Sequence, residues 1–361
     1  MKRYVLSLLI LLVTFTQANA RKKQGYTIYF GNTHAHSIYS GDIWVSAAKQ
    51  GKEPDAKNTV ENHFSLAKKN GYDFYCITDH SQYPQFNAVS WDDTKAKADA
   101  FTDAGFVALC GYEHSDNDGP DGRGHMNVYG TADWLNALAE GVSIEYLHNW
   151  LAQSGQKDAV VCFNHPQQDA YNDFYCYNES ARLHITLMEL INGTNPRFYP
   201  TFLNALSKGW KVSPVAGCDN HGWQGIEKWT ARTGMLAEAL TPGALLEAMA
   251  ARRTYASLDR NLEVAYSVNG KIMGSDIEQA EKYEFVIDIS DPDIQEVSNA
   301  ITKVEIIGNG GKLLVSKDFD SHIVEWKVTL PADGEKYYFV LIYSAMTGDK
   351  PVAYAAPVWI L

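Results

Sequence analysis

The chain has 361 residues, 45% of them hydrophobic and 20% charged, which suits a packed globular core and excludes a disordered or fibrous chain. A formal net charge of -12 argues against a nucleic-acid or anionic-membrane partner, so a phosphate substrate would need bound cations to draw it in. Cys76, Cys110, Cys162, Cys176 and Cys218 include no C-x-x-C pair, so a cysteine metal site is not indicated, and an odd count leaves at least one thiol unpaired. Most lie in apolar runs, so core thiols fit them better than a disulfide framework.

Residues 1–20 read as a secretory signal: Lys2 and Arg3, an apolar run from Tyr4 to Phe15, then Ala18-Asn19-Ala20. The run falls short of the roughly 20 apolar residues of a membrane span. The expectation is a secreted or periplasmic protein cut after Ala20, with no stable membrane insertion.

Tyr26–Phe30 reads as a strand that runs into Gly-Asn-Thr-His-Ala-His, where His34 and His36 share a face because alternate strand residues do. The spacing of Val60, Phe64 and Ala67 predicts a helix over 59–70, closed by Gly71. A strand over 72–78 ends at Asp79-His80. A helix over 91–104 precedes a strand over 106–111 that ends at Glu113-His114. The polar loop 115–124 leads to His125 and a short strand over 126–130. Residues 134–154 read mostly as helix, and a strand over 159–163 ends at Asn164-His165-Pro166. A strand over 185–191, a helix over 198–208 and a strand over 212–217 lead to Asp219-Asn220-His221. Thr241 and Pro242 mark a helix start as N-cap and N1, with the helix running to Arg252.

Strand–helix alternation of this kind predicts a parallel α/β fold. The His, Asp and Glu residues at strand carboxyl ends favour a (β/α) barrel, whose active-site face lies there, over an open doubly wound sheet. Beyond Asn261 the pattern becomes short alternating strands separated by turns such as Asn269-Gly270 and Asn309-Gly310-Gly311. The expected organisation is a signal over 1–20, a hydrolase barrel over 21–260 and a small antiparallel β-sandwich over 261–361.

The candidate ligands are His34, His36, Asp42, His80, Glu113, His125, His165, Asp219 and His221. Neutral imidazoles and carboxylates suit Zn, Mn or Fe. Nine such groups exceed the needs of one ion, which implies a multinuclear site able to bridge phosphate oxygens and supply a metal-bound hydroxide. Taken singly, each has an ordinary reading: Asp42 in a Ser40-Gly41-Asp42 turn, Glu113 paired with Arg123, His125 as a loop residue. Arg123, Arg197 and Lys228 could contact a substrate anion, though a solvated surface charge explains any one of them. Trp223 and Trp229 could line a pocket or pack in the core. His63, His148, His184 and His322 lack partners in the pattern and read as structural.

His34-Ala35-His36, Ile77-Thr78-Asp79-His80, Gly111-Tyr112-Glu113, Asn164-His165-Pro166 and Asp219-Asn220-His221, in that order over residues 26–260, resemble the PHP superfamily, named for polymerase and histidinol phosphatase. Gly124-His125-Met126-Asn127 and Arg253-Thr254-Tyr255-Ala256 look most like its exported branch related to carbaryl-hydrolase-type proteins. The resemblance implies a distorted (β/α)₇ TIM-like barrel with three divalent metal ions. By motif position His34, His36, Glu113 and Asp219 hold the first ion. Glu113 bridges to the second, completed by His125 and His165, and Asp42, His80 and His221 hold the third. Asp42 stands where some members have histidine. His114 competes with His125, and alternation along the strand favours His125, because Glu113 and His114 face opposite ways.

The implied activity is a metal-dependent phosphoesterase acting on a small anionic or ester substrate, with no side-chain nucleophile. A carbamate, ester or amide hydrolase on the same centre is the second expectation. A cell-surface binding protein using the β-sandwich is the third.

Overall fold

The computed structural model describes residues 21–116, 124–168 and 170–361; the expected signal segment 1–20 and Arg123 lie outside them. In chain order the first part holds β1 (Lys22–Lys23), β2 (Tyr26–Asn32), α1 (Gly41–Lys49), α2 (Val60–Lys69), β3 (Phe74–His80), α3 (Ala88–Phe101), β4 (Val107–Asp116), β5 (Gly124–Tyr129) and α4 (Ile144–Leu151). There follow β6 (Val160–Asn164), α5 (Tyr171–Phe174), β7 (Ile185–Asn192), α6 (Tyr199–Ser207), β8 (Ser213–Gly217), β9 (Arg232–Ala237), α7 (Pro242–Ala250) and β10 (Thr254–Ser257). The second part is strands: β11 (Glu263–Val268), β12 (Lys271–Ile272), β13 (Asp276–Ile277), β14 (Lys282–Ser290), β15 (Ile301–Ile307), β16 (Leu313–Ser321), β17 (Ile323–Pro331), β18 (Tyr337–Ser344), β19 (Pro351–Ala355) and β20 (Val358–Ile360).

Local chemistry explains the helix boundaries. The Thr59 side chain accepts from Asn62 N at the start of α2, and Thr241 accepts from Ala244 N at the start of α7. The helix expected over 134–154 is confined to Ile144–Leu151, because Gly141 turns the chain with φ 78° and Ser143 caps the helix that follows. α5 is one turn in which Tyr171, Asn172, Asp173 and Phe174 all have positive φ. Helix α1 and strands β9 and β10 are additional to the expected elements.

One long sheet organises the molecule, in the order β13-β20-β18-β19-β10-β9-β2-β3-β4-β5-β6-β7-β8, with β15 and β16 added beside β18. The pairs β2/β3, β3/β4, β6/β7 and β7/β8 are parallel. β5 is antiparallel to β4 and β6, and β9 is antiparallel to β2 and β10, so the expected parallel barrel is replaced by a mixed, parallel-rich sheet.

No backbone ladder joins β8 to β9 or β10 among the described residues, so the sheet is not closed into a barrel. Pro214 lacks an N–H on β8, and side chains bridge the seam instead. Thr233 Oγ1 accepts from Ala216 N at 2.8 Å and donates to Ala216 O at 2.9 Å, while Thr254 Oγ1 donates to Pro214 O at 3.0 Å. Just beyond β8, Asp219 N donates to His34 O and His36 N donates to Asn220 O. These two bonds bring the end of β8 alongside the end of β2.

Strand alternation then divides the interior into two layers. Cys76, Leu109, Tyr129, Cys162, Leu187, Val215 and Met235 pack together with Leu245, Ala248 and Met249 of α7, which form an apolar floor. Two or four residues further along the same strand faces stand His80, Glu113, His125 and Glu189. On the outer face α2 and α3 cover Tyr75, Ile77 and Ala108.

The second-part strands β12-β11-β14-β17 form a separate four-stranded sheet. Its residues Val264, Tyr266, Phe285 and Ile287 share a core with Val340 and Ala353 of the long sheet, and with Ile28, Phe30, Leu236 and Tyr255. Strand β10 is paired to β9 on one side and β19 on the other, so the two parts are joined through backbone hydrogen bonds as well as packing.

Candidate metal centre

Glu113 is the centre of the site. It lies near the end of β4, is fully buried, and is level with His80 in the parallel β3/β4 register. Its Oε2 lies 3.3 Å from His34 Nε2, 3.3 Å from His36 Nε2 and 3.2 Å from His80 Nδ1. Its Oε1 lies 3.2 Å from both His125 Nδ1 and His165 Nε2, and accepts from Asn164 Nδ2 at 2.9 Å. One carboxylate thus divides five imidazoles into two sets. His114, on the opposite face of the strand, is buried outside the cup, and His125 enters it.

Asp219 forms the adjoining wall from a left-handed backbone, φ 50°. Its Oδ1 is 3.1 Å from His36 Nε2 and 3.5 Å from His34 Nε2, and its Oδ2 accepts from Asn192 Nδ2 at 3.2 Å. At the mouth, Asp42 in the first turn of α1 meets His221, with Oδ2 2.6 Å from Nε2. The Gly41 position brings α1 this close: a Cβ there would collide with the Tyr83 ring. Ser40 Oγ donates to Asp42 Oδ1 at 2.6 Å and accepts from His80 N at 3.2 Å. The His36 ring stacks on His221 and His80 with centroids 4.1 and 4.7 Å away.

All nine expected ligands meet in this cup. Four sets have donor atoms within 4.8 Å of one another: His36, Asp42, His80 and His221; His34, His165 and Asp219; His34, His36 and Glu113; His80, Glu113 and His125. His36 therefore sits with the outer set as well as with His34, and His80 reaches Glu113 and His125. Of the expected substrate contacts, Arg197 is exposed in a cleft of about 730 Å³ that also includes Pro166, beside His165. Lys228 is exposed at the end of the short turn Ile226–Lys228. Trp229 packs against Gly193, and Trp223 Nε1 donates to Asp55 Oδ2.

Several groups that contact these residues were not singled out from the sequence, among them Glu189 and Asn192 on β7 and Ser115, whose Oγ lies 2.7 Å from His80 Nδ1. Glu189 Oε1 lies 2.7 Å from His34 Nδ1. The signal was present: a carboxylate inside the apolar run 185–191 must have a partner once buried.

The electrostatics are those of a cavity that demands positive charge. Burial disfavours an ionised Glu113, yet His80, His34 and His125 outweigh it and hold the carboxyl well below its usual range. Asp219 is likewise held well below, by His34 and His36 against burial. Burial would neutralise His34, but Glu113, Glu189 and Asp219 raise it well above an ordinary imidazole. His221 is pushed up to about 9, burial being overcome by the Asp42 contact, whereas burial takes His80 down to about 3. Glu113 Oε2 is buried and makes no hydrogen bond among the described residues. A buried carboxylate oxygen ringed by imidazole nitrogens is the donor chemistry of a cation site, and the residues fit divalent metals.

The fold and site define a mixed α/β protein with a buried histidine–carboxylate cup at the ends of its strands. No family model and no curated protein matches the sequence. Among solved structures it is similar to a two-domain protein containing a predicted PHP-like metal-dependent phosphoesterase from Bacteroides vulgatus ATCC 8482, at 15% identity over 92% of this chain and 96% of that one, TM-score 0.49. It is also similar to PsfC from Pseudomonas syringae PB-5123, at 16% identity over 63% of this chain and 90% of that one, TM-score 0.43. Neither likeness fixes a family or an activity for this chain.

Proposed function

We propose that this chain is an exported metal-dependent hydrolase of the PHP type, most concretely a phosphoesterase holding three divalent ions. Its organisation on this reading is a barrel over 21–260 followed by a β-sandwich over 261–361. The observation that carries the reading is Glu113, one buried carboxylate within 3.2–3.3 Å of five imidazoles.

Zn, Mn or Fe bound here would supply Lewis acidity and an activated water. The chain's own residues do the positioning. Glu113 and Asp219 orient His34 and His36, and the apolar floor excludes water from below. Asp42 and His221 stand at the open end, where a substrate arrives. Arg123, Arg197 and Lys228 are the proposed contacts for its anionic part.

Metal analysis of the purified protein, combined with aryl phosphate mono- and diester panels and aryl ester and carbamate panels, tests the reading. Turnover of phosphate esters is expected, with Glu113→Ala and Asp219→Ala losing both bound metal and hydrolysis. Wild-type metal content and turnover in both variants would sink the site assignment. Turnover of the carbonyl panel alone would move the reaction to a carbamate or ester. A metal-free chain whose strands 261–361 bind a polymer would replace the enzyme by a binding protein.

A further inference from the structure

We propose that Glu189 is a positioning residue that sets three of the cup's ligands at once; the inference rests on the metal-centre reading above. Glu189 is fully buried and belongs to none of the sets whose donor atoms converge. Both of its oxygens are nevertheless engaged. Oε1 faces His34 Nδ1 at 2.7 Å, and Oε2 accepts from His165 N at 2.8 Å and from Asn192 Nδ2 at 3.4 Å. The same Asn192 amide donates to Asp219 Oδ2 at 3.2 Å.

The consequences follow from which groups carry protons. An ionised carboxylate only accepts, so His34 Nδ1 must be the protonated nitrogen. In the neutral ring that a metal ion requires, Nε2 then presents its lone pair to the cup, where Glu113, Asp219 and His36 converge. His165 occupies the left-handed region with φ 28°, a conformation a histidine holds only when its surroundings enforce it. The Glu189 acceptor on its N–H is such an enforcement, and it aims Nε2 at Glu113. β8 leaves room for this bridge, because a Cβ on Gly217 would lie 2.0 Å from Glu189 Oε1 and 2.8 Å from His34 Cβ.

The isosteric amide cannot do the same work. Glutamine has one acceptor and one NH₂, so whichever way it turns, His34 Nδ1–H or His165 N–H meets a donor. Glu189→Gln is therefore expected to weaken metal affinity about 10- to 100-fold, the usual range for losing such a partner. It should also shift the visible spectrum of the Co(II)-loaded protein while circular dichroism stays near wild type, with a lower melting temperature from the buried donor left unsatisfied. kcat should fall more than KM rises, because the ligand geometry changes while the substrate contacts remain.

Glu189→Asp keeps both acceptors on a shorter arm, and serves if the amide does not fold; it should fall between wild type and Gln in Co(II) affinity and spectrum. Unchanged Co(II) affinity and spectrum in a folded Gln or Asp variant would overturn the role of Glu189 and leave the metal centre standing. A wild-type chain that binds no Co(II), Zn(II) or Mn(II) would overturn both.

Discussion

At the scale of single residues, burial separates the histidines by role. Those of the cup lie against carboxylates, whereas His148 of α4 is buried beside Trp210 with ring centroids 5.9 Å apart. Its Nδ1 accepts from Tyr177 N at 3.3 Å. Burial, with Arg182 adding to it, lowers the His148 pKa from 6.5 to about 4. The folded chain therefore keeps this ring neutral where the unfolded chain would protonate it. Its stabilising contribution is complete above pH 6.5 and shrinks as pH falls toward 4. At pH 5 the loss should be ~2 kcal/mol. Urea unfolding of wild type and His148→Gln at pH 7 and pH 5 checks this, with the variant expected to lose less stability across the interval. His63 and His114, lowered by burial to about 3 and about 4, add to the acid sensitivity in the same direction.

Among the elements, the helices are set by their caps and by the faces they bury, and most lie on the outside of the sheet. α3 shows how local that control is. Asn87 Oδ1 accepts from Val89 N at 2.9 Å and Ser90 N at 3.3 Å, while Ser90 Oγ accepts from Asn87 N at 2.8 Å. Both partners are satisfied reciprocally, a capping box. Asn87→Ala should cost about 1 kcal/mol of stability, read as a lower melting temperature, with metal content and turnover unchanged because α3 contributes no ligand. The strands behave differently. β4 supplies Glu113 and the floor residue Leu109 from one face, so a change of register there would remove floor and ligand together.

The whole molecule is held by pairing between segments far apart in sequence. β10 hydrogen-bonds β19, and Tyr199 and Phe202 of α6 pack on Phe339 of β18. Ile28, Phe30, Leu236 and Tyr255, all within 21–260, complete their burial against second-part residues such as Val340 and Ala355. A chain ending at residue 260 would expose that surface and leave β10 with an unpaired edge. It should bind a hydrophobic dye, associate in size-exclusion chromatography and melt without a sharp transition, whereas the full chain unfolds cooperatively. A fragment that is monomeric and melts sharply would show that the packing between the two parts is dispensable.

The sequence alone determined the chemistry of the site. Imidazoles and carboxylates suit divalent cations, and their recurrence at the ends of predicted strands made His34, His36, Glu113, His165, Asp219 and His221 legible as a set, although only Glu113 lies within a strand and the others stand just beyond one. So was the cap at Thr241, which acts within one helical turn. Tertiary structure decided the rest. The antiparallel pairing of β5, β9 and β10, the side-chain seam at Thr233 and Thr254, and the joining of β10 to β19 depend on partners 8 to 210 residues away, which leave no local period to read. Glu189 belongs to both accounts. Its burial in an apolar strand required a partner, but only the curl of the sheet, which brings β7 and β8 against the end of β2, made that partner His34.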